Sequence, residues 1–146
     1  MIFQSKFHKG FLVLLFLSIS ASSLFAQTQG SGELIVSSHL LDGRTYFGQN
    51  GSKGEPADHD DVFIFEKGMF RSTSCDEYGF TEGRYEATET DGVISFKSIT
   101  ESPTHGRMAW EGKVDSYALE GTFVWTKERW YWDIRKEYWF KAQVKQ

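Results

Sequence analysis

From Arg44 onward, short runs of alternating apolar and polar residues follow one another, each closed by residues that suit a turn. A two-residue period puts successive side chains on opposite faces, which is the geometry of a half-buried strand. The clearest run places Met108, Trp110, Gly112 and Val114 on one face, against Arg107, Glu111 and Lys113 on the other. In the next, Leu119, Gly121, Phe123 and Trp125 oppose Glu120, Thr122 and Thr126. The same reading gives strands over 44–49, 62–66, 69–73, 83–89, 93–99, 107–114, 117–126 and 136–144, eight in all, with no helical period of useful length. Lys67-Gly68, Asp91-Gly92 and Asp115-Ser116 suit tight hairpin links between them. Residues 33–41 are ambiguous between a ninth strand and a single helical turn ended by Gly43.

Sequential strands joined by short links describe an antiparallel meander, and closing a meander into a barrel removes both exposed edges. The expected fold is therefore all-β, an eight-stranded antiparallel up-and-down barrel. The alternative is a β-sandwich, which needs a long crossover that the short links do not supply. An eight-stranded barrel is just wide enough to be filled by side chains or to hold one small ligand. Two segments break the short-link rule. Residues 50–61 form a connection of about 12 residues, a length usually reserved for functional loops. Residues 127–135 carry Trp130-Tyr131-Trp132 where turn residues would be expected.

The 146-residue chain opens with Lys6, His8 and Lys9, an apolar run from Phe11 to Ile19, and a Ser/Ala-rich stretch up to Ala26-Gln27. That order of basic start, short apolar core and small residue marks residues 1–26 as a secretory signal peptide, leaving 27–146 as a single barrel domain exported to the periplasm or outside the cell. Losing Lys6 and Lys9 takes the net charge from −4 to −6, which argues against a nucleic-acid or anionic-membrane partner. No second apolar run approaches 20 residues, so stable membrane insertion is not expected. Cys75 is the sole cysteine, so the core must hold the fold without an intramolecular disulfide.

Four stretches look familiar. Ser74-Cys75-Asp76-Glu77-Tyr78-Gly79-Phe80, Met108-Ala109-Trp110-Glu111-Gly112, Leu119-Glu120-Gly121-Thr122 and Glu137-Tyr138-Trp139-Phe140-Lys141 resemble a group of uncharacterised exported bacterial proteins. The resemblance runs from about Leu41 to Lys145 and implies a calycin-like (lipocalin-like) β-barrel. It brings no established activity, so it assigns no functional residue.

Strand parity offers an inward set from which Tyr85, Phe96, Trp110, Phe123, Trp125 and Tyr138 are the candidate ligand-binding residues. They either fill the barrel or line a pocket for a small apolar ligand, with the 50–61 connection as its lid. Trp130, Tyr131 and Trp132, with Trp139 on the outward parity of the last strand, are the candidate interaction surface for a protein or a cell-surface polymer. The alternative is that the final hairpin extends and buries them. Cys75 is a free thiol next to Asp76, a neighbour that disfavours the thiolate, and an inert buried thiol is the simpler expectation. Asp58-His59-Asp60-Asp61 lacks the spacing of a calcium loop and reads as a solvated acidic loop. No nucleophile elbow, phosphate loop, zinc-binding pattern or cofactor motif is present, so the expectation is a non-catalytic protein without metal or cofactor.

Overall fold

The computed structural model describes residues 35–144; the expected signal peptide lies outside the described residues. Nine strands follow in order: β1 (Ile35–Ser37), β2 (Arg44–Ser52), β3 (His59–Glu66), β4 (Met69–Ser72), β5 (Gly83–Thr90), β6 (Val93–Ser102), β7 (Gly106–Asp115), β8 (Ala118–Lys127) and β9 (Ile134–Val144). From β2 to β9 each strand pairs antiparallel with the next, and β9 returns to pair with β2. The result is a closed eight-stranded antiparallel barrel, and the sandwich alternative is excluded by the β2–β9 ladder. The ambiguous segment before Arg44 resolves into both of its readings in succession. β1 adds to the end of β5, with Val36 opposite Thr88, and a turn over residues 38–43 follows it.

One end of the barrel is closed by the tightest links the backbone allows. Lys67 and Gly68 have φ of 52° and 75°, and Asp91 and Gly92 have 52° and 80°. Two consecutive positive φ values match the right-handed twist of the flanking strands, and Gly at the second position removes the steric penalty. The β7–β8 link is Ser116-Tyr117, one residue later than the sequence suggests, because Asp115 still pairs with Ala118. At this end the 38–43 turn drops fully buried Leu41 against the core. Asp42 clasps the turn in place. It accepts bonds from Gly68 N–H at 2.9 Å and Tyr85 O–H at 2.8 Å, and His39 Nδ1 lies 2.6 Å away. Burial pushes the Asp42 carboxyl up, but these bonds favour the charged form and leave it below its ordinary value.

Inside, Phe63, Phe65, Phe70, Phe96, Trp110 and Phe140 meet from all sides of the barrel. Ring centroids are 5.0 Å apart for Phe65–Phe96, 5.1 Å for Phe63–Phe140 and 5.1 Å for Phe70–Trp110. Gly112 and Gly121 face each other across β7 and β8 and make room for this cluster. A Cβ on Gly112 would stand 2.5 Å from the Phe96 ring, and one on Gly121 2.6 Å from the Phe140 ring. The alternation of the sequence thus becomes small residues on one wall receiving large ones from the next, the condition for a close-packed interior.

The opposite end is built differently. Its connections span residues 53–58, 73–82, 103–105 and 128–133. The first is half the expected length, because β2 runs on to Ser52 and His59 and Asp60 pair with Asn50 and Gln49. The second contains a 3₁₀ helix, Thr73–Tyr78, ended by Gly79 at φ 73°. Inward positions also change character towards this end. Along β6 they read Ile94, Phe96, Ser98, Thr100 and Ser102, all buried. On β2, β3 and β4 the last inward residues are Asn50, Asp61 and Ser72.

Candidate functional site

Asp61 organises the polar end. It is 3 % exposed, which corrects its reading as part of a solvated loop. Asn50 Nδ2 and Ser72 Oγ donate to its Oδ2 at 3.0 and 2.6 Å, and the backbone N–H groups of Val62 and Ser74 donate to Oδ1 at 2.8 and 3.0 Å. A buried carboxylate holding this many donors ties β2, β3, β4 and the start of the 3₁₀ helix together. Asp58, His59 and Asp60, its sequence neighbours, stay exposed. Among the described residues no three His, Cys, Asp or Glu side chains gather as a metal site would require.

Above this network the packing stops, and a cavity of ≈ 250 Å³ opens at the barrel mouth. Phe80, Phe123, Trp125 and Tyr138 supply aromatic walls; Cys75 and Met108 supply sulfur; Asn50, Ser74, Tyr78, His59 and His105 complete the lining. The walls continue the core. Trp110 stacks on Phe123 at 4.1 Å, and Phe123 stacks on Tyr138 at 4.7 Å with an interplanar angle of 5°. The stack therefore leads from the packed middle to the opening. The Trp125 indole N–H donates to the His105 carbonyl at 2.6 Å, which fixes one rim ring to the β6–β7 turn.

The six candidate ligand-binding residues split across this boundary. Phe123, Trp125 and Tyr138 line the cavity. Tyr85, Phe96 and Trp110 do not. They are 1–2 % exposed, sealed by opposing aromatic rings or, for Tyr85, by the Asp42 clasp. The barrel is narrow, so large side chains from opposite walls meet at mid-height, whereas at the mouth the rings of Phe80, Phe123, Trp125 and Tyr138 leave a space between them. Of the 50–61 segment expected as a lid, Asn50 and His59 line the cavity from strands, while the 53–58 connection contributes nothing to the lining and is fastened outside the barrel. Lys53 N–H donates to the Glu137 carbonyl and the Trp139 indole N–H to the Glu55 carbonyl, each at 2.9 Å. Glu137 also takes hydrogen bonds from Lys53 and Arg135, which hold its carboxyl down at about 2.

Cys75 sits in the 3₁₀ helix, buried, with Ser72 Oγ at 3.2 Å and Met108 Sδ at 3.7 Å. Burial pushes its thiol up to about 11, opposed by the Ser72 bond and reinforced by the Asp61 charge. A thiol so placed is a packing atom rather than a ready nucleophile. Its position beside the cavity was invisible in sequence, because the helix that turns it inward has no apolar period of its own.

The candidate interaction surface also divides. Trp130 is 94 % exposed, Tyr131 50 % and Trp132 59 %, on the 128–133 connection at the mouth end. Their rings touch edge to face, at 74° for Trp130–Tyr131 and 72° for Tyr131–Trp132. The final hairpin does not bury them. Trp139 points outward as parity requires, but it is spent on pinning Glu55 and makes no ring contact with the other three. A wider hollow of ≈ 780 Å³ lies on the outer face over Gly112 and Gly121, edged by Lys97, Glu111, Lys113, Glu120 and Lys141. It is open to solvent, and the Lys97–Glu111 ion pair spans part of it.

Asn50, Ser74, Tyr78, Phe80, His59 and His105 join the cavity without having been singled out as ligand contacts from sequence. Asn50 carried a signal, since it shares the inward parity of Tyr46 on β2. The two histidines carried none, because barrel closure alone brings residues 59 and 105 to one rim. No protein-family model, curated protein or solved structure matches this chain. The chemistry of the site is therefore read from its own side chains.

Proposed function

We propose that this chain is a non-catalytic exported β-barrel protein that binds a small apolar ligand at the mouth of the barrel. The observation that carries the reading is the ≈ 250 Å³ cavity walled by Phe80, Phe123, Trp125 and Tyr138, with Cys75 and Met108 in its lining. An apolar cavity of roughly 150 Å³ holds a benzene, and drug-sized sites begin near roughly 300 Å³. The fit is to a ligand of one or two rings, or a short aliphatic chain. Export is supported by the order of residues in positions 1–26. The test is tryptophan fluorescence during titration with small hydrophobes. Trp125→Ala abolishes the response and Trp130→Ala leaves it intact; a response that survives Trp125→Ala sinks the reading.

The exposed tip supports a second reading, an interaction surface. Trp130, Tyr131 and Trp132 are adjacent, unburied and flanked by Arg129, Arg135 and Lys136. Their edge-to-face geometry offers no flat platform for a sugar ring, which favours a protein partner over a glycan. Double substitution of Trp130 and Trp132 by Ala removes capture of such a partner while the barrel stays folded.

A further inference from the structure

The cavity reading above can be taken one step further, to the chemistry of its ligand. We infer that the cavity selects a neutral aromatic molecule bearing one hydroxyl or N–H group, of phenol or indole size, through the Tyr138 hydroxyl, and that it rejects carboxylates. The walls come first. Phe80, Phe123, Trp125 and Tyr138 make the lining largely aromatic, which suits an aromatic guest. Met108 Sδ and Cys75 Sγ lie together at 3.7 Å, and thioether and thiol sulfur make favourable contacts with aromatic rings.

The polar groups decide the rest. Most of those in the wall are already committed. Asn50 Nδ2 is held by Asp61 and Ser74, the Trp125 N–H by the His105 carbonyl, and His105 Nδ1 by Thr104 Oγ1 at 2.9 Å. The Tyr138 hydroxyl makes no hydrogen bond to any described residue, although its ring is half-buried against the core. A ligand that covers it without bonding to it strands a polar group, whereas a hydroxyl or N–H placed against it recovers that loss. Among the described residues the ionisable side chains of the lining are Cys75, Tyr78, Tyr138, His59 and His105, none of them a fixed cation. Burial raises the Tyr138 phenol, and Asp58, Tyr78 and Cys75 raise it further. No Lys or Arg lines the cavity. The nearby cation, Lys136, stands 5.9 Å over the Trp125 ring and is exposed to solvent. A carboxylate would leave water for a largely aromatic lining with no Lys or Arg to pair it.

Three probes that share a ring and a methyl group separate these effects: toluene, p-cresol and p-toluate. They are titrated calorimetrically into the purified protein at pH 8, above the ordinary range of imidazole titration. The expected order is p-cresol tighter than toluene by about five- to tenfold, and p-toluate weaker than toluene by at least about 100-fold. Tyr138→Phe removes the advantage of p-cresol and leaves toluene unchanged, and toluene binding doubles as proof that the variant is folded. Equal binding of p-toluate and p-cresol overturns the inference, as does a p-cresol advantage that persists in Tyr138→Phe. In both of those cases toluene still binds, and the cavity reading stands. If toluene itself does not bind, the cavity reading falls and the inference with it.

Discussion

The two ends of this barrel use the same strands and reach opposite solutions. At the end closed by Lys67-Gly68, Asp91-Gly92 and Ser116-Tyr117, links of two residues hold the strands together and Leu41 seals the interior. Inward residues there and at mid-height are large and apolar, and their rings meet across the barrel. At the other end the links lengthen, the inward residues become Asn50, Asp61, Ser72, Thr100 and Ser102, and a cavity remains. Short links leave no backbone to satisfy and let side chains do the packing. Longer links bring their own N–H and C=O groups, which need buried polar partners, as Asp61 serves the Ser74 N–H and Ser102 the Tyr78 carbonyl.

The sharpest way to break the comparison is to remove one tryptophan from the filled middle and one from the mouth. Trp110, 1 % exposed and bonded through its indole N–H to Thr100 at 3.0 Å, is expected to lose about 3–5 kcal/mol on change to Ala. Trp125→Ala, at the cavity, is expected to lose only about 1–2 kcal/mol. Urea unfolding followed by circular dichroism measures both, and equal losses would mean that the middle and the mouth do not differ in packing.

Asp61→Ala is next in size. It takes one acceptor from the Asn50 amide, the Ser72 hydroxyl and the Val62 N–H and leaves the Ser74 N–H without one, for an expected loss of about 2–4 kcal/mol. Hydrogen exchange should show the 3₁₀ helix and the start of β3 opening well before β6 and β7. Uniform loss of protection would instead make Asp61 part of one undivided core.

The closed end answers to acid through Asp42. Its folded carboxyl lies below the ordinary value of roughly 3.9, so the unfolded chain binds the proton more tightly. The stabilisation is therefore complete above about pH 5 and is lost as pH falls through the folded value, below about pH 4. Asp42→Asn should flatten the stability profile in that acid range; an unaltered acid limb would show that the clasp is not electrostatically important. The smallest effect is expected at the exposed tip. Trp130→Ala should change the melting free energy by less than about 0.5 kcal/mol, because it is 94 % exposed and meets only the exposed Tyr131 ring. A larger loss in a thermal melt would mean that the tip braces the mouth.

Much of this architecture was legible in the residues. Eight strands, the hairpins at 67–68 and 91–92, the inward placement of Trp110 and Phe140 and the outward placement of Trp139 all follow from alternation and turn chemistry. The 3₁₀ helix at 73–78 was not legible, since six residues are too few to show a period and Gly79 marks only its end. The extent of β2 and β3 was missed for another reason. Asn50, Gly51, Asp60 and His59 have poor strand propensity, and they are strands because the barrel pairs them with β9 and with each other.

What the sequence determined alone was the local part: which residues are extended, which side each faces and where the chain reverses. Those are decided by backbone sterics between neighbours, and neighbours are visible in a string of letters. Only the tertiary structure decided which inward residues meet. The β8–β9 register set Tyr138 opposite Phe123, the curl of the sheet carried Cys75 to Met108, and the pairing of β2, β3 and β4 set Asp61 among donors from three segments. The division into filled middle and hollow mouth is a property of distances across the barrel, and no local rule specifies those.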